Sequence, residues 1–309
     1  MEITPSHSLR SDVPSVSAII ALLKPITWFP PMWAYACGAI ASGQPILAMA
    51  PTALLGIVLA GPLLCGSSQA VNDWFDRHVD AINEPHRVIP SGRMPGRWGL
   101  AIAIATSLLS ALVAALLGPF VFVAALIGIA FAWGYSAPPF RFKRNGWLGN
   151  GVVGLSYETL PWITAAAALQ GGTPAAGTLL VALLYGIGAH GILTLNDFKS
   201  IRGDRLMGIS TLPVLHGAAN AARIACLVMA VPQVGVAGLL IHWDLPVLAS
   251  VLALLIAVQV ACMARFLADP VGRAVWYSAI GVGLYVSGMM ITAFAMRGLT
   301  LSALSLPAV

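Results

Sequence analysis

Apolar runs of about twenty residues recur along this chain, separated by short links of Gly, Pro and charge. A backbone inside hydrocarbon must satisfy its own N–H and C=O groups, which confines each run to helix. Read this way, the runs predict about nine spans, near 23–42, 51–73, 98–117, 119–137, 147–168, 176–197, 217–240, 245–267 and 274–297. Hydrophobic residues make up 59% of the 309 and charged residues only 9%, where a soluble domain carries about 25% charge. The expected fold class is therefore all-α: a polytopic membrane protein, one domain over residues 1–309, with 1–15 a flexible N-terminus. Pro25, Pro30 and Pro31 predict a kinked first span. No apolar core of a signal peptide is evident in the first twenty residues.

The charge in the links alternates. Links after the even-numbered spans hold Arg77, Arg87, Arg93 and Arg97, then Arg141, Lys143 and Arg144, then Lys199, Arg202 and Arg205, then Arg265 and Arg273. The odd-numbered links, such as Ser42–Pro45 and Gln170–Pro174, carry no Lys or Arg. The positive-inside bias then places every even exit, and the N-terminus, in the cytoplasm, with Arg297 the one exception. Topology thus accounts for the net charge of +5, which does not point to nucleic acid. Cys37, Cys65, Cys226 and Cys262 stand singly in apolar runs and read as small buried hydrophobes.

Charge concentrates at the end of the second span, in Asn72-Asp73-Trp74-Phe75-Asp76-Arg77-His78-Val79-Asp80. If the helix continues, Asn72, Asp76 and Asp80 stack on one face with Asp73 beside them. Carboxylates so close repel unless a cation neutralises them, and oxygen-only ligands suit a hard divalent ion such as Mg²⁺ with substrate phosphate. A second copy, Asn196-Asp197-Phe198-Lys199-Ser200-Ile201-Arg202-Gly203-Asp204, repeats the pattern with Ser200 in place of the central carboxylate. Gly203 weakens helix there and predicts Asp204 just past a helix end. Four spans separate the copies, so both emerge on the same face and can form one site.

Tyr135-Ser136-Ala137-Pro138-Pro139 ends span four at the same level, and the basic residues after it make Lys143 a candidate diphosphate contact. Glu158 lies in mid-span, where a charge is costly; it either lines an interior cavity or bonds a carbonyl freed by Pro161. His190 reads as a core histidine, with a cavity position as the alternative.

These motifs, with the Tyr-Ser-x-Pro-Pro segment, resemble the UbiA-type intramembrane prenyltransferases over nearly the whole chain. The stretch from Asp80 through Ile89-Pro90-Ser91-Gly92 to Leu100 resembles the chlorophyll synthase branch, most closely its bacteriochlorophyll members. Aromatic-acceptor members usually carry a carboxylate where this chain has Ser200.

The resemblance implies a ring of nine helices around a central, lipid-accessible cavity. It implies transfer of a geranylgeranyl or phytyl group from its diphosphate to the propionate of (bacterio)chlorophyllide, in the bacterial photosynthetic inner membrane among lipids and pigment-protein assembly partners. Within that mechanism Asn72, Asp76, Asp80, Asp197 and Asp204 would hold Mg²⁺, with Asp76, Asp80 and Asp204 catalytic. Arg87, Lys143, Lys199 and Arg202 would bind diphosphate, and Tyr135, Glu158 and His190 are cavity candidates. An aromatic or haem prenyltransferase is the alternative within the family. A cation-coupled transporter is the alternative outside it, and only Glu158 favours that.

Overall fold

The computed structural model describes residues 13–305, with side chains described through residue 300. The expected tail at 1–12 lies outside the described residues. Helix α1 (Val16–Leu23) starts at Ser15, whose hydroxyl accepts from the Ala18 amide at 3.3 Å. Lys24 then enters the left-handed region at φ 47°, and α2 (Phe29–Ala41) leaves at 57° to the first segment. The kink expected from the prolines is thus a broken first span.

Helix α3 (Ala50–Asn83) runs unbroken through the first acidic copy, ten residues beyond the predicted end of the second span at 73. Around Pro62 it widens into a π-helical stretch, Leu59–Cys65, because proline offers no N–H and its ring displaces the preceding carbonyl. The remaining spans are α4 (Trp98–Leu117), α5 (Pro119–Ser136), α6 (Gly146–Gln170) and α7 (Ala176–Asp197). After the short α8 (Ile201–Leu206) come α9 (Leu212–His242), α10 (Pro246–Ala268) and α11 (Pro270–Ser305). Helix α6 has its own π turn, Leu155–Thr159, ahead of Pro161. Among the described residues eight helices are long and apolar enough to cross a membrane, nine if the broken pair is one span. This is an all-helical membrane protein.

Each spanning helix packs on the next in sequence, and α11 returns to α2, closing a ring. The largest apolar core fills the space among α7, α9, α10 and α11, around Met229, Leu252, Phe266 and Tyr277. Helices α6 and α7 touch at Gly154 and Gly186: a Cβ on Gly186 would overlap the Thr159 hydroxyl, and one on Gly154 the Gly186 carbonyl. That close approach packs Asn150 of α6 beside the end of α7 that carries Asp197.

Candidate active site

On α3, Asn72 donates from Nδ2 to Asp76 Oδ2 and to Ser136 Oγ, both at 3.0 Å. The four-residue spacing therefore does stack these side chains on one face, against the end of α5. The carboxylates face cations from elsewhere in the chain. Lys143 pairs with Asp76; Arg87 pairs with Glu84 and, through Nη1, with Asp80 Oδ2 at 3.1 Å and Asp73 Oδ1 at 3.6 Å. Lys24 reaches Asp73 Oδ1 at 2.6 Å from the break in the first span. Burial pulls the Lys143 pKa below its ordinary value, and the charge of Asp76 opposes that shift.

Lys143 is placed by the segment that follows α5. Pro138-Pro139 ends the helix, a single 3₁₀ turn carries Phe142–Arg144, and the Asn145 side chain caps α6 by accepting from the Trp147 and Leu148 amides at 3.0 Å. Gly146 N–H donates to Ser210 C=O at 2.8 Å, and Ser210 N–H to Arg144 C=O at 2.9 Å. The basic segment is thereby stitched to the loop of the second acidic copy.

That second copy differs from expectation. Helix α7 ends at Asp197, a turn covers Phe198–Ser200, and Asp204 lies inside the separate helix α8 with Gly203 beside it. The break comes earlier than Gly203, and Gly203 does not end a helix. The second copy's carboxylates have neutral partners. Asp197 accepts from Asn150 Nδ2 at 3.1 Å; Asp204 Oδ2 accepts from Ser200 Oγ at 2.6 Å and Thr211 Oγ1 at 3.2 Å.

Two cavities join the copies. One of about 390 Å³ has Asn72, Asn196 and Asp197 at one end and Tyr35, Gly56 and Thr164 at the other. Gly56 is sixteen residues from Asn72 along α3, roughly 24 Å at helical rise. A smaller cavity of about 160 Å³ is lined by Lys143, Ser200, Asp204 and Thr211. Tyr135, Asn150 and Asp197 line both. An elongated, largely apolar space is therefore reached by the first copy through Asn72 and by the second through Asn196 and Asp197.

Of the other sequence candidates, Glu158 and His190 line neither cavity. The π turn directs Ser156 and Tyr157 to the larger cavity and leaves Glu158, 4% exposed, on the side of Cys37 and Tyr285. His190 Nε2 lies 3.2 Å from the Trp147 carbonyl oxygen, with its ring against the Trp147 indole, as a core histidine would. Arg87, Lys199 and Arg202 also line neither cavity, as is the case for Asp76 and Asp80. Arg87 is taken up by three carboxylates, and the turn after Asp197 leaves Lys199 and Arg202 exposed. The sequence reading missed Lys24, Thr211 and Asn150. Asn150 carried a usable signal, an amide inside an apolar run, which needs an interior partner.

Oxygen donors suit magnesium, which needs only one or two protein carboxylates when phosphate completes its shell. Among the described residues no three His, Cys, Asp or Glu side chains are gathered into a ready metal cage. Asn72, Asp197 and Asp204 line the two cavities, while Asp76 and Asp80 line neither: Asp76 is tied to the cavity walls through Asn72 and Lys143, and Asp80 is held by Arg87. As oxygen donors the five fit a metal–phosphate site of that kind in their chemistry.

The family model described as the UbiA prenyltransferase family matches residues 27–286. The chain is 55% identical to the bacteriochlorophyll synthase 33 kDa chain of Rhodobacter capsulatus, over 94% of this chain and 97% of that one. It is 39% identical to the chloroplastic chlorophyll synthase of Arabidopsis thaliana, over 90% of this chain and 74% of that one. In structure it is similar to a UbiA homologue from Archaeoglobus fulgidus bound to DMAPP and Mg²⁺, with TM-score 0.68 and 20% identity over 89% of this chain and 99% of that one. Fold, motif pair and sequence agree: the chain belongs to the UbiA prenyltransferase family.

Proposed function

We propose that this chain transfers a geranylgeranyl or phytyl group from its diphosphate to the propionate carboxylate of bacteriochlorophyllide or chlorophyllide, forming an ester. The observation that carries the reading is that the elongated cavity of about 390 Å³ is lined by Asn72 of the first acidic copy and by Asn196 and Asp197 of the second. A prenyl tail fits the apolar length, and its diphosphate then falls among the oxygen donors. The relatives named bacteriochlorophyll and chlorophyll synthases supply the acceptor class.

Asn72, Asp76 and Asp80 from one copy, and Asp197 and Asp204 from the other, would hold magnesium, which when bound supplies the positive charge that offsets a departing diphosphate. Asn150, Ser200 and Thr211 orient the carboxylates of the second copy. Lys143 lines the smaller cavity beside Asp76 and is the chain's nearest cation for a phosphate oxygen. Lys199 and Arg202, exposed on the same loop, would meet the diphosphate as it enters; Arg87 acts through Asp80. A propionate is ionised near pH 7, so the acceptor needs no general base to capture the allylic cation. The alternation of basic links supports a mouth on the cytoplasmic side, in a membrane we take to be the photosynthetic inner membrane.

Purified chain should esterify chlorophyllides from geranylgeranyl diphosphate with Mg²⁺, and alkali should release the prenyl alcohol from the product. Prenylation of 4-hydroxybenzoate or haem, with chlorophyllides left unesterified, would refute the acceptor.

A further inference from the structure

Asp73 stands next to the stacked side chains; like Asp76 and Asp80 it lines neither cavity, and its side chain is only 3% exposed. Seven residues before Asp80 on α3, it shares that residue's side of the helix two turns away. Arg87 spans the interval: Nη1 lies 3.1 Å from Asp80 Oδ2 and 3.6 Å from Asp73 Oδ1, while Nε is held by Glu84. Lys24 adds its ammonium to Asp73 from the break between α1 and α2. Three carboxylates thus divide two cations, and only one of the three, Asp80, is in the proposed ligand set.

We propose that Asp73 is a positioning residue: a buried anion that draws Arg87 and Lys24 toward itself and so leaves Asp80 available to a divalent cation. The inference rests on the reading of Asp80 as a ligand. The physical ground is competition for one guanidinium. With Asp73 charged, Arg87 is shared, and its hold on Asp80 is one of three comparable attractions. With Asp73 neutral, Arg87 answers only Asp80 and Glu84, and Lys24 loses its partner and adds positive potential nearby. A cation approaching Asp80 must then displace a tighter internal ion pair. Glu84 acts in the same sense more weakly, because its side chain is 42% exposed and solvent screens it.

The test uses full-length chain in lipid nanodiscs and Mn²⁺, which shares magnesium's preference for carboxylate oxygen and is counted directly by electron paramagnetic resonance. Asp73→Asn should raise the Mn²⁺ half-saturation concentration about tenfold, the scale of one close charge pair. Glu84→Gln should raise it about two- to threefold, consistent with a screened pair. Asp73→Glu should return the value to within about twofold of the parent, since the charge is restored. In turnover, Asp73→Asn should raise the Mg²⁺ requirement while kcat at saturating Mg²⁺ falls only a few-fold. A folded Asp73→Asn chain whose Mn²⁺ half-saturation matches the parent overturns the proposal, whether or not activity is lost. If that variant does not fold, an unshifted Glu84→Gln overturns it instead. A parent chain that takes up no Mn²⁺ defeats the ligand reading beneath it as well.

Discussion

The two acidic copies begin with the same Asn-Asp pair and end on the same aspartate, yet they sit in opposite electrostatic company. The first is countered by Lys24, Arg87 and Lys143, drawn from three separate segments. Among the described residues the second is met by neutral donors, Asn150, Ser200 and Thr211. One position explains much of the difference. Asp76 in the first copy becomes Ser200 in the second, which removes a charge and turns a site needing a cation into one that hydrogen-bonds its own Asp204 at 2.6 Å. Helix continuity follows suit. Asp76 pairs with Lys143 from within the continuous helix α3, whereas Ser200 sits in the turn that separates α7 from α8. A repeated motif therefore does not imply a repeated environment. Among the described residues, then, the first copy carries internal counter-cations and the second is held by neutral hydrogen-bond donors.

The strongest way to break this contrast is to change the paired position itself. Asp76→Asn should lower transfer at least roughly a hundredfold, the scale of one lost electrostatic contact at a developing charge. The chain should still insert, because Asn can keep the hydrogen bond to Asn72. Turnover with geranylgeranyl diphosphate, beside detergent-extracted yield, measures both; full activity would remove Asp76 from the site. The equivalent change in the second copy, Ser200→Ala, should cost far less.

A middle-sized effect tests the neutral partnership. Asn150→Ala removes the side-chain amide that donates to Asp197 and reaches the Thr194 hydroxyl at 3.3 Å. Leaving a buried acceptor unpaired costs about 1–3 kcal/mol, so a fall in thermal stability of that order is expected. Magnesium should restore part of it, because a cation can replace the lost donor. Thermal unfolding with and without Mg²⁺ checks this, and an unchanged midpoint would show that Asp197 does not depend on Asn150.

The fold was largely legible because hydrocarbon leaves a chain few choices. Nine apolar runs yielded the eight helices and the broken pair, with ends displaced where prolines or charges intervene. The meeting of Asn72 and Asp76 on one face of α3 was legible from spacing alone. Lys24 was not: its meeting with Asp73 depends on a left-handed residue at a helix break, which no periodicity announces. Glu158 misled for a related reason. Its cost in lipid correctly places it indoors, but a π turn decides which interior wall it faces, and that rotation is invisible in spacing. Arg87 was seen as a cation and misread as free, because its three carboxylate partners converge only when the link after α3 turns back.

The smallest expected effect is the sharpest test of the contrast. Ser200→Asp rebuilds the first copy's charge pattern inside the second. The new carboxylate would stand where Ser200 Oγ now donates to Asp204 Oδ2 at 2.6 Å, so a donor becomes a second anion at the same place. Lys143 lines the same small cavity but is engaged by Asp76, and among the described residues no other cation lines that cavity. The variant should therefore be less stable than the parent without divalent ions and should regain that loss as Mg²⁺ is added, because a cation relieves two like charges more than one. At saturating Mg²⁺ its turnover should stay within about threefold of the parent, since a carboxylate there adds a ligand without displacing the others. The sign of the Mg²⁺ dependence carries the argument. Equal stability of the two chains without Mg²⁺ would mean that the second copy already recruits a counter-cation, and the distinction between a compensated and an uncompensated copy would fail.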